Sequence, residues 1–213
     1  MGFFRHILFV FLLVPVLATT CRAEPLYQRS MALFRANETQ ANPQDYSFIV
    51  LGDSRDGEAV FRKALKLAKS YHPLFILHGG DYSPRGGEVE TAAFLSDLRK
   101  EVPDIPVFVV MGNHENRNVF AREIGPVDFT VQSKQLGFAL VAVDDSNDAL
   151  KPGEIDYLRS HLAAAPAIRF VAMHVPPRTE SWSWHTFTEG AEELKGILAK
   201  EKVGVAFFSH VHL

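Results

Sequence analysis

The chain has 213 residues, of which 47% are hydrophobic and 22% charged, and its formal net charge is −3 at pH 7. This length and this apolar fraction allow a sizeable core in one domain, or at most in two small ones. The small net charge and the scattered lysines and arginines exclude the basic patch with which a protein binds nucleic acid.

The first 23 residues have the pattern of a secretory signal peptide. Arg5 precedes an apolar run over residues 7–17, and Ala23 is a small residue suited to cleavage. The run is too short for a comfortable membrane span, so we expect an exported protein, periplasmic or secreted, with no transmembrane span in the mature chain. Cleavage after Ala23 also removes Cys21, the only cysteine, and with it any thiolate ligand. The alternatives are an uncleaved N-terminal anchor and lipidation of Cys21.

The remaining sequence predicts one α/β domain preceded by a polar stretch. Residues 24–46 show weak periodicity, which indicates an N-terminal extension or linker before a domain over residues 47–213. From residue 47 onwards, short runs of branched or aromatic residues alternate with amphipathic stretches. Strands are predicted over residues 47–51, 74–77, 107–111, 170–173 and 203–208, with a hairpin over 129–131 and 138–143. Helices are predicted over residues 57–71, 88–101, 116–124, 154–163 and 187–200.

Polar side chains directly follow five of the predicted strands. They are Asp53, Asp81, Asn113 with His114, His174, and His210 with His212. Strand ends in an open sheet are where sites are built, because the following loop aims side chains into a shared crevice. Any one of these residues alone would be explained by a helix cap, a turn or a core contact. Together, at five strand ends, they predict a metal site.

The ligand types point to the hydrolysis of phosphate esters. Two metal ions roughly 3.5–4 Å apart lower the pKa of a water molecule and hold the phosphoryl oxygens. Such a pair needs one carboxylate that contacts both ions, together with oxygen and nitrogen ligands on either side. A mixed oxygen and nitrogen set without sulfur suits Mn, Fe, Zn or Co rather than a structural zinc.

The order and spacing of these motifs resemble those of the calcineurin-like metallophosphoesterase superfamily from about residue 48 to the end of the chain. The matching motifs are Gly52-Asp53, Gly80-Asp81, Gly112-Asn113-His114-Glu115, His174 and His210-Val211-His212. The resemblance implies a β-sandwich flanked by helices, in four layers α/β/β/α, with two divalent or trivalent metal ions at one edge. It implies that Asp81 bridges both ions, that Asp53 and His212 bind the first, and that Asn113, His174 and His210 bind the second. His114 would then donate a proton to the leaving oxygen.

The first departure from the family pattern is Arg55, which stands where the family usually has a ligating histidine. A guanidinium stays protonated and cannot bind a metal ion. The first metal would keep Asp53, Asp81 and His212, which are enough ligands for a catalytic ion. Arg55 would instead contact a substrate phosphate or form an ion pair with a site carboxylate, and the sequence leaves both open.

A second departure lies in the segment after Asp81. Pro84 stands where an acid would orient the catalytic histidine, so His114 needs another partner, and Glu115 and Asp145 are the candidates. Arg85 follows directly and is a candidate phosphate ligand. A further difference, Ser209 in place of the usual glycine before His210, raises a modest backbone concern.

Other histidines and aromatic residues have simpler explanations. For His72, His78 and His161 we expect surface or core roles without chemistry. For His185 two interpretations are equally favoured: it lies in an aromatic loop over the site, or it lies in a solvent-exposed loop. A substrate wall built from Trp182, Trp184 and Arg178 is the less favoured interpretation.

We therefore expect an exported metal-dependent phosphoesterase that hydrolyses a phosphomonoester or phosphodiester with metal-activated water. Its substrate would be a small-molecule, lipid or nucleotide phosphate ester, and the sequence indicates no obligate protein partner. One alternative, suggested by Arg55, Pro84 and the abrupt C-terminus, is a catalytically degenerate metal- or partner-binding domain. Another is a mononuclear hydrolase in which Arg55 replaces a metal ligand. The sequence stops one residue after His212, so we expect either a sandwich lacking C-terminal strands or an unusually well held last turn.

Overall fold

The computed structural model describes residues 24–212. The predicted signal peptide, residues 1–23, lies outside the described residues. In chain order the elements are α1 (Leu26–Glu38), β1 (Ile49–Leu51), α2 (Glu58–Ser70), β2 (Ile76–His78), α3 (Glu88–Glu101), β3 (Val107–Val109), α4 (Arg117–Glu123), β4 (Phe129–Ser133), β5 (Phe138–Ala142), α5 (Pro152–Ala163), β6 (Ile168–Ala172), α6 (Ala191–Lys200) and β7 (Val205–Phe207). Among residues 24–212, no helix has both the length and the apolar character needed to cross a membrane.

The strands form two sheets whose carboxyl ends meet at one edge. The first sheet has the order β1-β2-β3 and is entirely parallel. The second has the order β4-β5-β6-β7, with β4 antiparallel to β5 and the other neighbours parallel. Because parallel strands end on the same side, the loops after β1, β2 and β3 and those after β5, β6 and β7 can contribute to a single site.

Three hydrophobic clusters separate four layers. The first packs α2 and α3 against the outer face of the β1-β2-β3 sheet, with Phe61 and Leu65 at its centre. The second fills the space between the sheets; its buried phenylalanines are Phe34, Phe75, Phe108, Phe129 and Phe138. The third packs α5 and α6 against the second sheet through Leu158 and Leu194. This order confirms the predicted α/β class, a β-sandwich flanked by helices.

Strand β5 shows how the sequence produces this arrangement. Successive side chains of a strand point to opposite faces. Phe138 and Leu140 therefore enter the cluster between the sheets, while Val141 enters the cluster beneath α5. Because both faces are covered, all five residues of the strand are buried, and each large apolar side chain contributes about 1.5–3 kcal/mol relative to exposure.

Residues 24–46, which were predicted to be an N-terminal extension or linker, contain helix α1, which the sequence did not predict. Three positions spaced four apart, Leu26, Ser30 and Phe34, are buried against the core. The Ser30 hydroxyl donates to the Val107 carbonyl at 2.8 Å and accepts from the Val107 amide at 3.0 Å. Ser30 thus makes the hydrogen bonds with β3 that a neighbouring strand would otherwise make. Because this polar residue lies on the buried face of α1, the hydrophobic periodicity of the helix is weak in the sequence.

Two predicted helices differ at their N-terminal ends. Helix α6 begins at Ala191 rather than at residue 187, because Phe187 forms a β-bridge with Pro177. Gly190 precedes α6 with φ +82°, and a Cβ there would collide with the carbonyl oxygen of Leu150. Helix α5 begins two residues earlier than predicted, at Pro152, where the fixed φ of proline suits the first helical turn.

Candidate metal centre

The structure brings all six predicted ligands to the shared edge of the sheets. Donor atoms of Asp81, His174 and His210 lie within 4.8 Å of one another, and so do those of Asp53, Asp81 and His212. Asn113 joins the first group, because its Oδ1 lies 3.0 Å from His174 Nε2. We call Asp81, Asn113, His174 and His210 the inner position, and Asp53, Asp81 and His212 the outer position. Asp81 belongs to both.

Four of these residues have left-handed backbone conformations. The φ angles are +49° at Asp53, +56° at Asp81, +71° at His210 and +46° at His212. Such conformations cost on the order of 1–3 kcal/mol each in non-glycine residues and persist where the surrounding structure enforces them. The loops after the strands are therefore bent sharply enough to aim their side chains at one point.

Tight packing of these loops requires glycines beside the ligands. A Cβ on Gly112 would meet the Asp81 amide at 2.5 Å and Glu115 Oε2 at 2.7 Å. Ser209, the residue that stands in place of the usual glycine, is accommodated because its hydroxyl faces Gly52 and Gly79, which have no side chains. Its amide donates to the His174 carbonyl at 2.9 Å, so the substitution does not disturb the backbone.

The buried carboxylate of Glu115 joins two ligand loops. It accepts hydrogen bonds from the amides of Asp81 at 2.9 Å, Tyr82 at 3.1 Å and Gly112 at 2.7 Å. Burial, with the charge of Asp81 next in size, raises the pKa of Glu115 to about 7. Glu115 therefore fixes the relative position of the loops after β2 and β3.

A second buried carboxylate, Asp145, holds the loop after β6. It accepts from the amides of His174 at 2.9 Å and Val175 at 3.0 Å, and burial raises the pKa of Asp145 to about 8. Asp145 and Glu115 were the predicted partners of the His114 ring, and that prediction is wrong because both are engaged with backbone amides.

His114 is oriented by a main-chain carbonyl instead. Its Nδ1 lies 2.8 Å from the Pro84 oxygen, and because a carbonyl can only accept, Nδ1 carries a hydrogen. Nε2 is left facing the centre, 3.9 Å from Asp81 Oδ2. The residue that replaced the orienting acid thus supplies the orienting group through its backbone.

His174 is held in the same way. Its Nδ1 donates to the Gly79 carbonyl at 2.7 Å, and its Nε2 faces Asn113 Oδ1 at 3.0 Å and Asp81 Oδ1 at 3.4 Å. Burial would lower the pKa of His174, but its hydrogen bond to Asp81 and the charge of that carboxylate outweigh burial and raise this pKa to about 9. The surroundings of Nε2 therefore favour a cation at this point.

Asp53 offers a further test of whether a metal ion fits. Its Oδ2 accepts from the His210 amide at 3.0 Å. Its Oδ1 is buried without a hydrogen-bond partner among residues 24–212 and lies 3.3 Å from His212 Nε2. An unpaired carboxylate oxygen beside an imidazole and a second carboxylate is a donor set that suits a divalent ion.

The two predicted phosphate-binding arginines lie in different surroundings. The Arg55 guanidinium donates to Asp81 Oδ2 at 3.2 Å, the ion-pair alternative for this residue. Arg85 is exposed, and its backbone amide donates to Glu90 at 3.2 Å. A role for Arg85 in binding phosphate stays a prediction.

An aromatic loop lies over one side of the centre. The His185 ring is 5.4 Å from the His210 ring and 3.9 Å from the Trp184 ring, measured between centroids. The Trp182 indole donates to the Trp184 carbonyl at 2.8 Å, which holds the loop, while Trp184 stays 61% exposed. Of the two interpretations of His185, the structure favours the loop over the site.

His78 has the core role that was expected of it. It is fully buried between Phe61 and Phe94. Its Nδ1 accepts from the Gly80 amide at 3.2 Å, so Nε2 carries the hydrogen and donates to the Ser54 hydroxyl at 2.9 Å. His78 is thus a satisfied neutral histidine.

The model of one protein family spans most of the chain. The model described as calcineurin-like phosphoesterase matches residues 46–213. The chain belongs to the calcineurin-like phosphoesterase family. This membership confirms the resemblance inferred from the motifs. No curated protein matches the chain.

Two solved structures are similar to this calcineurin-like phosphoesterase. The crystal structure of TT1561 of Thermus thermophilus matches with a TM-score of 0.53 and 12% identity, covering 76% of this chain and 80% of that chain. At this identity the likeness supports the fold alone. A serine/threonine phosphatase from Saccharomyces cerevisiae with similarity to human phosphatase PP5 matches with a TM-score of 0.31 and 14% identity, covering 86% of this chain and 70% of that chain. The family is metal-dependent, and the Asp and His groups at the sheet edge of this calcineurin-like phosphoesterase could hold metal ions.

Proposed function

We propose that the chain is a metal-dependent phosphoesterase that hydrolyses a small phosphomonoester or phosphodiester outside the cytoplasm. The observation that carries the proposal is the pair of donor groups sharing one buried carboxylate, Asp81. Family membership supports a phosphoric ester hydrolase. The signal-peptide pattern of residues 1–23 supports export, to the periplasm or the medium.

The inner and outer positions would hold the ions, and Mn, Fe, Zn or Co suits their oxygen and nitrogen donors. When bound, such ions supply an activated water and positive charge for the phosphoryl oxygens. The protein positions the donors: Glu115 fixes the loop of Asp81, and Asp145 fixes the loop of His174.

His114 is placed to move the proton that the leaving oxygen needs. Because Nδ1 is held by the Pro84 carbonyl, Nε2 is the ring atom directed at the centre. A protonated Nε2 would donate to the leaving oxygen as its bond to phosphorus breaks, leaving a neutral ring that still donates to Pro84. General acid catalysis of this kind contributes about 10²–10⁴-fold to the rate.

The aromatic loop would form one wall for the leaving group. The Trp184 ring is exposed beside His185, which itself lies against His210. A flat ring on the substrate, such as a nucleobase or an aryl group, could stack there, since base–aromatic stacking contributes about 1–3 kcal/mol. Arg85 is proposed to contact a phosphate oxygen from the opposite loop, as guanidinium groups do.

The proposed function is tested by hydrolysis of chromogenic phosphate mono- and diesters. The purified chain would be assayed after chelation and again after addition of Mn²⁺. We expect turnover only with the metal, and the ratio of monoester to diester rates would define the substrate class. Equal turnover by the chelated chain would contradict metal dependence.

A second candidate is a metal- or partner-binding domain without turnover, and the ion pair between Arg55 and Asp81 favours it. The same assay separates the two. A folded, metal-loaded chain that hydrolyses none of the esters would support the binding domain and overturn the enzyme.

A further inference from the structure

Arg55 is anchored to Asp81 at two points, one on the main chain and one on the carboxylate. Its backbone amide donates to the Asp81 carbonyl at 3.1 Å, and its guanidinium donates to Asp81 Oδ2 at 3.2 Å. The Arg55 side chain is 24% exposed and that of Asp81 only 1%. The guanidinium is therefore a mostly buried cation at the point where the two candidate positions meet.

The two oxygens of Asp81 face different neighbours. Oδ1 accepts from the His114 amide at 3.1 Å and lies 3.4 Å from His174 Nε2, on the side of the inner position. Oδ2 is the oxygen that receives the Arg55 guanidinium. Asp81 can therefore serve the inner position through Oδ1 without disturbing Arg55, whereas an ion at the outer position that bound Oδ2 would compete with the guanidinium.

One histidine at each position differs in exposure in the same direction. The His174 side chain, at the inner position, is fully buried, while the His212 side chain, at the outer position, is 46% exposed. A charge interaction is weaker where water screens it. A cation held at the outer position therefore gains less from His212 than a cation at the inner position gains from His174, and Arg55 also repels it.

The number of bound ions determines the net formal charge of the centre. The carboxylates of Asp53 and Asp81 and the guanidinium of Arg55 sum to −1. One divalent ion brings this to +1, whereas two bring it to +3. With a single ion, Arg55 already provides a second positive group against a phosphate ester, since guanidinium groups bind phosphate oxygens.

From these contacts we infer that the two positions are unequal: the inner position takes its ion first, and Arg55 weakens the outer position by occupying Asp81 Oδ2. This inference rests on the proposed metal-dependent function. Arg55 is the residue that sets how many ions the chain holds at a limiting metal concentration.

The test is a Mn²⁺ titration of the metal-free chain, followed by calorimetry and by electron paramagnetic resonance. For the natural sequence we expect one tight equivalent with the hyperfine pattern of an isolated Mn²⁺. We expect a second equivalent to bind at least about tenfold more weakly, the smallest effect typical of groups that adjoin metal ligands. Exchange-coupled pairs of Mn²⁺ at the first equivalent would overturn the inference.

Three variants distinguish an effect of the Arg55 charge on metal binding from an effect of replacing any arginine of the chain. Arg55→Gln removes the charge, and Arg55→His also adds an imidazole; we expect the second equivalent to tighten in both, and more in Arg55→His. Arg159→His makes the same exchange on the exposed face of α5 and should leave both equivalents unchanged. An Arg55→Gln variant that binds the second ion no more tightly than the natural sequence would also overturn the inference.

These readouts do not depend on turnover. If the natural sequence binds its ions unequally and hydrolyses nothing, the proposed function fails while the role of Arg55 stands. If it hydrolyses esters and binds two ions equally, the proposed function stands while the role of Arg55 fails. Circular dichroism of each variant confirms folding, and the titration of the natural sequence decides the question even where a variant does not fold.

Discussion

At the scale of single residues, main-chain carbonyls decide how the imidazoles of His174 and His114 point. The Gly79 carbonyl holds Nδ1 of His174, and the Pro84 carbonyl holds Nδ1 of His114. In both rings Nδ1 carries the hydrogen that is donated to the carbonyl, so Nε2 is the nitrogen that faces the centre. The type of residue at a carbonyl matters little for such a contact, which is why Pro84 can replace an acid without disorienting His114.

This arrangement predicts that His114 acts on the proton and not on the metal. His114→Gln should leave Mn²⁺ content unchanged and slow turnover by about 10²–10⁴-fold, the usual contribution of a general acid. Metal content by atomic emission and steady-state kinetics are the measurements. His161→Gln, at a half-buried position of α5 outside the candidate centre, is the matched control and should change neither. Loss of metal in His114→Gln would make His114 a ligand instead.

A second prediction at this scale concerns His78 and acid stability. Burial, followed by the charge on His174, lowers the pKa of His78 to about 3, and protonation would set an Nδ1 hydrogen against the Gly80 amide. Because the folded pKa lies below the unfolded value of about 6.5, the unfolded state takes up the proton first as the pH falls. Stability should therefore drop between about pH 6.5 and pH 3, by up to about 1.4 kcal/mol per pH unit.

The measurement is urea unfolding of the metal-free chain at several pH values, for the natural sequence and for His78→Gln. The difference in unfolding free energy between the two should shift against the natural sequence as the pH falls below about 6.5. If the unfolding free energies of the two proteins change in parallel with pH, the pKa of His78 does not differ between the folded and unfolded states.

At the scale of elements, α1 is part of the sandwich. Phe34 is fully buried among aromatic rings of both sheets, with centroids 6.2 Å from Phe75 and 6.1 Å from Phe138. Phe34→Ala should lower the unfolding free energy by about 3–5 kcal/mol, as is typical for large buried aromatic residues. Gln28→Ala, on the exposed face of the same helix, should change it by less than about 0.5 kcal/mol. Equal effects of the two substitutions in urea unfolding would mean that α1 unfolds separately from the sheets.

The aromatic loop is the element that we expect to select the leaving group. Trp184→Ala should raise KM for a nucleoside or aryl phosphate by roughly 5- to 150-fold, the equivalent of about 1–3 kcal/mol of stacking, and leave KM for an alkyl phosphate nearly unchanged. Tyr71→Ala, another exposed aromatic residue at the end of α2, is the control. An equal rise in KM for both substrates would exclude stacking on Trp184.

At the scale of the whole molecule, the two sheets complete one centre together. The loops of the first sheet carry Asp53, Asp81 and Asn113, and those of the second carry the three histidines. Metal binding should therefore stabilise the whole fold, by about 2.7 kcal/mol at a free concentration one hundred times Kd. Thermal unfolding with and without Mn²⁺ measures this gain. We expect Asp81→Asn to lose most of it, and a gain of the same size in that variant would exclude Asp81 as a shared ligand.

The sequence predicted the parts of this molecule that follow from periodicity and from motif order. The strands before Asp53, Asp81 and Asn113 were located to within a few residues, because apolar runs and the polar residues after them are both visible in the chain. The contacts of Glu115 and Asp145 could not be predicted, since a carboxylate that binds amides of distant loops has no local pattern. Helix α1 was missed because one of its three buried positions is Ser30.

The central claim is that catalysis depends on a metal centre shared through Asp81, and turnover with Mn²⁺ content measured together on Asp81→Asn tests it most directly. Asp156→Asn, an exposed carboxylate on α5, is the matched control. We predict that Asp81→Asn loses both metal and turnover, whereas Asp156→Asn keeps both. An Asp81→Asn variant that still hydrolyses the ester at the rate of the natural sequence would contradict the account.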